Sequence, residues 1–212
     1  MPLRAVVFDY GMVLTGPPDP VAHAMLERIT GLPTAQFDRL YWADRRAYDG
    51  GKLTGHAFWQ KFARDAGLDL PDTAIDQLLI WDARMWMTEN SAMLAWQLTL
   101  KKDGFLTAIV SNIGDTVHRA IEREFNWLSR FDVLVWSYQL HLTKPDPAIY
   151  RYALEKLGTK PGESLFIDDR PDNVQAAIAL GMHGLVFTTA EKLSEDLIAL
   201  GLDAELPLPN AR

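Results

Sequence analysis

The chain has 212 residues, 48% of them hydrophobic, with 21 basic against 28 acidic side chains for a formal net charge of −7, and it contains no cysteine. That length fits one core domain carrying a sizeable insertion, or two modest domains, with enough apolar content to bury a core without covalent staples. The missing cysteines exclude disulfides, thiol nucleophiles and thiolate metal sites and suit a reducing cytoplasm. The acidic balance, with no run of Lys or Arg, offers no electrostatic footprint for nucleic acid.

The first residues lack the basic, apolar and small-residue pattern of a signal peptide, so no export is expected. They lead into the apolar run Ala5-Val6-Val7-Phe8, which reads as a buried strand delivering Asp9 into a loop. Pro17, Pro18 and Pro20 then interrupt regular structure. Four helical segments follow: Val21 to Thr30, Thr34 to about Tyr48, Gly55 to Ala66, and Asp72 to about Met87. In the third, Phe58, Phe62 and Ala66 recur every fourth residue beside Trp59 and Ala63, a packing face, with Thr54 as its cap. In the second, Arg45 and Arg46 are adjacent and diverge on a helix, so a solvated face is expected there, although arginines in this stretch could also read a second anion.

A helix from Asn90 stops at Gly104, and Phe105 to Val110 forms a second buried strand ending at Ser111-Asn112. A helix from about Asp115 to Phe125 precedes a third strand, Val133 to Trp136. Lys144-Pro145-Asp146-Pro147 then opens a helix that ends at Gly158. The fourth strand, Ser164 to Ile167, stops at Asp168-Asp169. A helix ending at Gly181, a strand from Gly184 to Phe187 and a helix from Ala190 to Leu200 complete the chain, with Leu206 to Pro209 as a tail. No apolar run approaches the roughly 20 residues that span a bilayer, so a soluble protein with no membrane partner is expected. Strands alternating with helices imply α/β architecture, a doubly wound parallel sheet. The expected division is a core of residues 1–14 and 91–212 with a helical insertion of residues 15–90.

In such a sheet the reactive crevice lies beyond the carboxyl ends of the strands, where Asp9, Ser111 and Asp168-Asp169 all fall, with Lys144 after the remaining strand. Each has a bland reading as a turn, cap or surface amine. Together they are chemically coherent. Converging carboxylates call for a hard divalent cation such as Mg²⁺. Asp9 beside that cation can attack phosphorus and form an aspartyl phosphate, while Ser111 and Lys144 offset the charge of the transferring group.

The order and spacing of FDYGMVL, IVSN, LTKPDPAIY and FIDDRPDNV resemble the haloacid dehalogenase-like hydrolase superfamily over essentially the whole chain. The insertion resembles its C1 cap, and the chain is similar to small sugar-phosphate phosphatases and to the phosphatase domain of soluble epoxide hydrolases. The resemblance implies a Mg²⁺-dependent phosphatase acting on a small phosphorylated substrate, which the cysteine-free composition places as an expected cytoplasmic protein, with a homodimer as the self-association left open. It implies Asp9 as nucleophile and metal ligand, the Gly11 carbonyl and Asp169 as further ligands, Asp168 holding metal-bound water, and Ser111, Asn112 and Lys144 holding phosphate.

One departure matters. Phosphatases of the family carry a second aspartate two positions after the first, as general acid and base, and this chain has Gly11 there, followed by Met12 in place of glycine. General acid–base catalysis is worth about 10²- to 10⁴-fold. Asp44, Asp49, His56, Asp115 or Asp146 could serve instead, the substrate could carry a good leaving group, or the protein could bind a phosphorylated ligand without turnover. Dehalogenase chemistry fits less well, because that motif places tyrosine two residues after the aspartate. Phosphonatase chemistry needs an activated cap lysine, which neither Lys52 nor Lys61 resembles.

Overall fold

In the computed structural model, which describes residues 2–209, the first apolar run forms β1 (Ala5–Phe8), buried on both faces. Met1 and residues 210–212, which fall in the expected core, lie outside the described residues. The insertion comprises α1 (Pro20–Thr30), α2 (Thr34–Ala43), α3 (Arg45–Asp49), α4 (Gly55–Ala66) and α5 (Asp72–Met85). The core continues with α6 (Ser91–Lys102), β2 (Leu106–Ser111), α7 (Asp115–Glu124), β3 (Val133–Trp136), α8 (Ser137–Leu140) and α9 (Pro147–Leu157). It ends with β4 (Ser164–Asp168), α10 (Pro171–Ala179), β5 (His183–Val186) and α11 (Ala190–Ala199).

The five strands form one parallel sheet in the order β3-β2-β1-β4-β5. Apolar layers cover both faces, with Val6, Phe8, Ile109 and Ile167 in one and Val7, Val110 and Phe166 in the other. Burying both faces is what makes parallel strands read as continuous apolar runs rather than alternating ones. β1 is central, and successive strands step away from it in opposite directions through β2 and β4. A crevice therefore opens at the β1/β4 switch point. The tail packs down: Leu206 is buried and the Trp96 indole donates to the Pro207 carbonyl at 2.7 Å.

The insertion has its own core of Phe37, Tyr41, Phe58, Trp59 and Phe62, with ring centroids 5.1–6.3 Å apart. Each such side chain contributes roughly 1.5–3 kcal/mol when fully buried. Thr54 caps α4 as expected, accepting from Ala57 N at 3.2 Å. The helix expected from Thr34 to Tyr48 is instead two, broken at Asp44, whose φ of −111° and ψ of 7° leave the helical region. Asp44 meets Lys61 of α4 at 2.7 Å at this break. The change of axis turns Arg45 inward, so the solvated face expected for it is corrected: Arg45 is buried.

Several contacts join insertion and core, and two groups of them lie at the connecting segments and at α3. Gly16 N donates to Thr88 O at 2.7 Å and Asn90 N to Leu14 O at 2.9 Å, which zips the two connecting segments together. At the far end of α3, Ser137 Oγ donates to Asp49 O at 2.5 Å and accepts from Ile113 N at 2.9 Å. Gly51 has a φ of +70°, and a Cβ there would lie 2.4 Å from Tyr138 O, so glycine is required by conformation and by space.

Candidate active site

Asp9 directly follows β1, β2 ends on Ser111 and β4 on Asp168, so three neighbouring strands deliver these side chains to the carboxyl end of the sheet. Asp9 is fixed from both sides. Its N–H donates to Ile167 O at 2.8 Å, and its Oδ1 accepts from Tyr10 N at 2.7 Å. The chain then makes a tight turn over Tyr10–Leu14 in which Met12 adopts φ 62°. A non-glycine residue in this region is strained. Gly11 has an ordinary extended conformation, and a Cβ there would lie 3.9 Å from the Trp86 ring.

Lys144, only 3% exposed, places Nζ 2.8 Å from Asp9 Oδ1 and 2.6 Å from Asp168 Oδ2. Burial alone would push this ammonium down, but Asp9 and Asp168 overcome that and raise it, so it is charged. Asp168 also accepts from Asn173 Nδ2 at 3.0 and 3.1 Å and from Arg170 N at 2.9 Å. Burial pushes Asp9 up to about 7, with Lys144 opposing and Asp168 reinforcing the rise. Asp169 is raised as well, by burial and then by Asp168.

Asp9, Asp168 and Asp169 each bring an oxygen within 4.8 Å of the others. One ammonium among three carboxylates leaves an excess of negative charge, and an all-oxygen donor set of this kind fits a hard divalent cation. The Asn112 carboxamide is engaged with the Lys144 main chain, donating to its carbonyl at 2.9 Å and accepting from its N–H at 2.8 Å. Its side chain thus fixes the loop that carries Lys144.

Asp9, Ser111, Asn112, Lys144, Asp169 and Asn173 line a cavity of about 620 Å³, while Asp168 is fully buried. The insertion adds Trp42, Arg45, Arg46, Asp49 and Trp86 to the lining. Arg45 stacks within 6 Å of the Tyr41, Tyr48 and Trp86 rings, contacts Asp49 at 3.1 Å and Asp82 at 3.0 Å, and also bonds the Tyr41 hydroxyl. Sequence reasoning missed Trp86, which no local pattern marks, and Asn173, whose place five residues after Asp168 in FIDDRPDN was a usable signal. Among the described residues no helix is long and apolar enough to cross a membrane.

Residues 3–181 match the family described as haloacid dehalogenase-like hydrolase. The mouse protein Bifunctional epoxide hydrolase 2 is 30% identical over 99% of this chain, which spans 41% of that protein, so the chain covers less than half of it. Phosphatase MT3486 of Mycobacterium tuberculosis is 27% identical over 95% of this chain and 96% of its own length. A HAD family enzyme of Bacteroides thetaiotaomicron, solved in complex with magnesium and inorganic phosphate, superimposes with a TM-score of 0.73 at 20% identity, over 88% of this chain and 94% of that one. With the match across residues 3–181, the parallel sheet and the acidic cluster at its switch point, this chain belongs to the haloacid dehalogenase-like hydrolase family.

Proposed function

We propose that the chain is a Mg²⁺-dependent phosphohydrolase acting on a small phosphorylated metabolite through a phosphorylated Asp9. The observation that carries this reading is the grouping of Asp9, Asp168 and Asp169 within 4.8 Å around Lys144, at the floor of a cavity large enough for a small organic phosphate. The related enzyme with bound magnesium and phosphate, and the relative named a phosphatase, point the same way.

Asp9, Asp169 and the Gly11 carbonyl would hold Mg²⁺, with Asp168 steering its water. The cation would supply charge neutralisation for phosphoryl oxygens approaching a carboxylate. Tyr10 N and Lys144 both engage Asp9 Oδ1, which leaves Oδ2 as the nucleophilic oxygen. As Oδ2 bonds to phosphorus the ester P–O bond breaks. Water then attacks phosphorus, the Asp9–phosphoryl bond breaks and inorganic phosphate leaves. Ser111 and Lys144 hold the phosphoryl oxygens during both steps. Asn112 positions Lys144. We assign residues 1–14 and 91–212 to the catalytic core and 15–90 to a cap that selects the substrate.

Gly11 favours a second reading, in which the site binds a phosphorylated ligand without turnover. The two separate in a measurement of phosphate release and intact mass after mixing with Mg²⁺ and acetyl phosphate, run beside Asp9→Asn. Release, or a phosphoryl adduct on the wild type alone, is expected. Equal behaviour of the two proteins, with neither release nor adduct, would leave the binding role.

A further inference from the structure

Gly11 leaves the proposed reaction without a proton donor for the leaving group, and the five candidate acids have very different surroundings. Asp44 pairs with Lys61 at 2.7 Å, Asp115 accepts from Gly55 N at 2.9 Å and from Arg119 at 2.7 Å, and Asp146 caps α9 through Ala148 N at 2.9 Å. His56 lies 3.9 Å from Asp72 and is half-exposed. None of these four lines the cavity. Asp49 does, as part of the same lining that includes Asp9. Building on the phosphohydrolase reading, we propose that Asp49 is the catalytic acid and base that stands in for the side chain Gly11 lacks.

Three features of its setting fit that task. Asp49 is 8% exposed, so its carboxyl is shielded from bulk water yet open to the cavity. It is also tied to the core: its main-chain carbonyl is held by Ser137 Oγ, which binds Ile113 N two residues beyond Ser111. The neighbouring Gly50 carbonyl lies 3.2 Å from His141 Nδ1, three residues before Lys144. Asp49 is therefore registered against the two loops that carry Ser111 and Lys144, as a group acting on the same phosphoryl ester must be.

The third feature is its electrostatic environment. Arg45 Nε contacts both carboxylate oxygens, at 3.1 and 3.3 Å, and Asp82 and Tyr41 face Arg45 from the other side. Tyr48 shares α3, Arg46 lines the same cavity, and Lys144 faces it from the core. Burial pushes the carboxyl up to about 6, with Arg45 opposing, Asp82 adding and Lys144 opposing. An acid poised near neutrality suits transfer in both directions.

The proton balance closes. Protonated Asp49 gives its proton to the ester oxygen as the P–O bond breaks and Asp9 takes the phosphoryl group. Asp49, now a carboxylate, takes a proton from the water that attacks phosphorus, so it ends the cycle protonated again.

The test compares an alkyl phosphate, whose alkoxide needs protonation to leave, with acetyl phosphate, whose carboxylate does not. In Asp49→Asn, kcat on the alkyl ester should fall about 10²- to 10⁴-fold, with a loss at least about tenfold smaller on acetyl phosphate, where phospho-enzyme should accumulate by intact mass. Gly11→Asp in the Asp49→Asn background should restore most of the alkyl rate, because the Gly11 backbone and the space beside Trp86 accept a side chain. The wild-type pH profile should carry a limb that Asp49→Asn removes. Equal losses on both substrates without restoration by Gly11→Asp would overturn this role for Asp49 and leave it a positioning partner of Arg45. Absence of Asp9-dependent release from either substrate in the wild type would instead overturn the underlying phosphohydrolase reading as well.

Discussion

Lys144→Met removes the ammonium that bridges Asp9 and Asp168 while nearly preserving side-chain volume. At separations of 2.8 and 2.6 Å, each contact is worth roughly 6 kcal/mol of gross Coulomb attraction at an effective dielectric constant of about 20, before desolvation is charged against it. Breaking a buried pair by removing one partner costs about 3–5 kcal/mol net, because the uncompensated charge remains. For a chain of this size each kcal/mol lowers Tm by about 2–4 °C, so a drop of about 6–20 °C is expected in chelator at pH 8. The deficit should shrink at pH 5. Asp9 already holds its proton more tightly when folded, at about 7 against 3.8, so its contribution to stability is present at low pH and lost as pH rises through that window. Removing Lys144 takes away the main influence lowering that value, which widens the window upward. Thermal unfolding at pH 5 and pH 8, with and without Mg²⁺, checks this, and Mg²⁺ should recover part of the loss at pH 8. A variant within about 1 kcal/mol of wild type at pH 8 in chelator would refute the view that Lys144 neutralises a buried carboxylate cluster.

Gly51→Ala should cost about 2–4 kcal/mol in urea unfolding, since the new Cβ would meet Tyr138 O at 2.4 Å and the backbone would be held at φ +70°. A loss under about 1 kcal/mol would show that the junction between cap and core yields easily. Asn112→Ala removes two hydrogen bonds to the Lys144 main chain and should cost about 1–3 kcal/mol, measured by the same unfolding. Its phosphate release should fall by more than stability alone explains, because Lys144 is no longer held against Asp9; unchanged kcat would sink that positioning role.

The alternation of apolar runs with helical segments was enough to read a doubly wound parallel sheet, because strands buried on both faces carry their signal in four to six consecutive residues. The acidic and basic positions at the strand ends were legible for the same local reason. Asp9, Ser111, Lys144, Asp168 and Asp169 each follow or end a recognisable strand, and the structure brings all five to one cavity or its buried floor. Their partners were not legible. Asn173 and Asn112 act through contacts that a spacing rule does not specify, and Trp86 reaches the cavity only because the insertion folds back over the core.

The break at Asp44 had the largest effect on the site. Periodicity continues from Thr34 to Tyr48, yet the contact with Lys61 and the demand to bury Arg45 between Asp49 and Asp82 override it. The contact holding Asp49 to Ser137 crosses 88 positions of sequence, and that between Arg45 and Asp82 crosses 37. The sequence by itself therefore determined the sheet, the order of the motifs and the missing carboxylate at Gly11. Which of the candidate acids shares the cavity with Asp9 was decided by the tertiary structure, because it depends on how two separately packed aromatic and aliphatic cores meet, and no local pattern encodes that meeting.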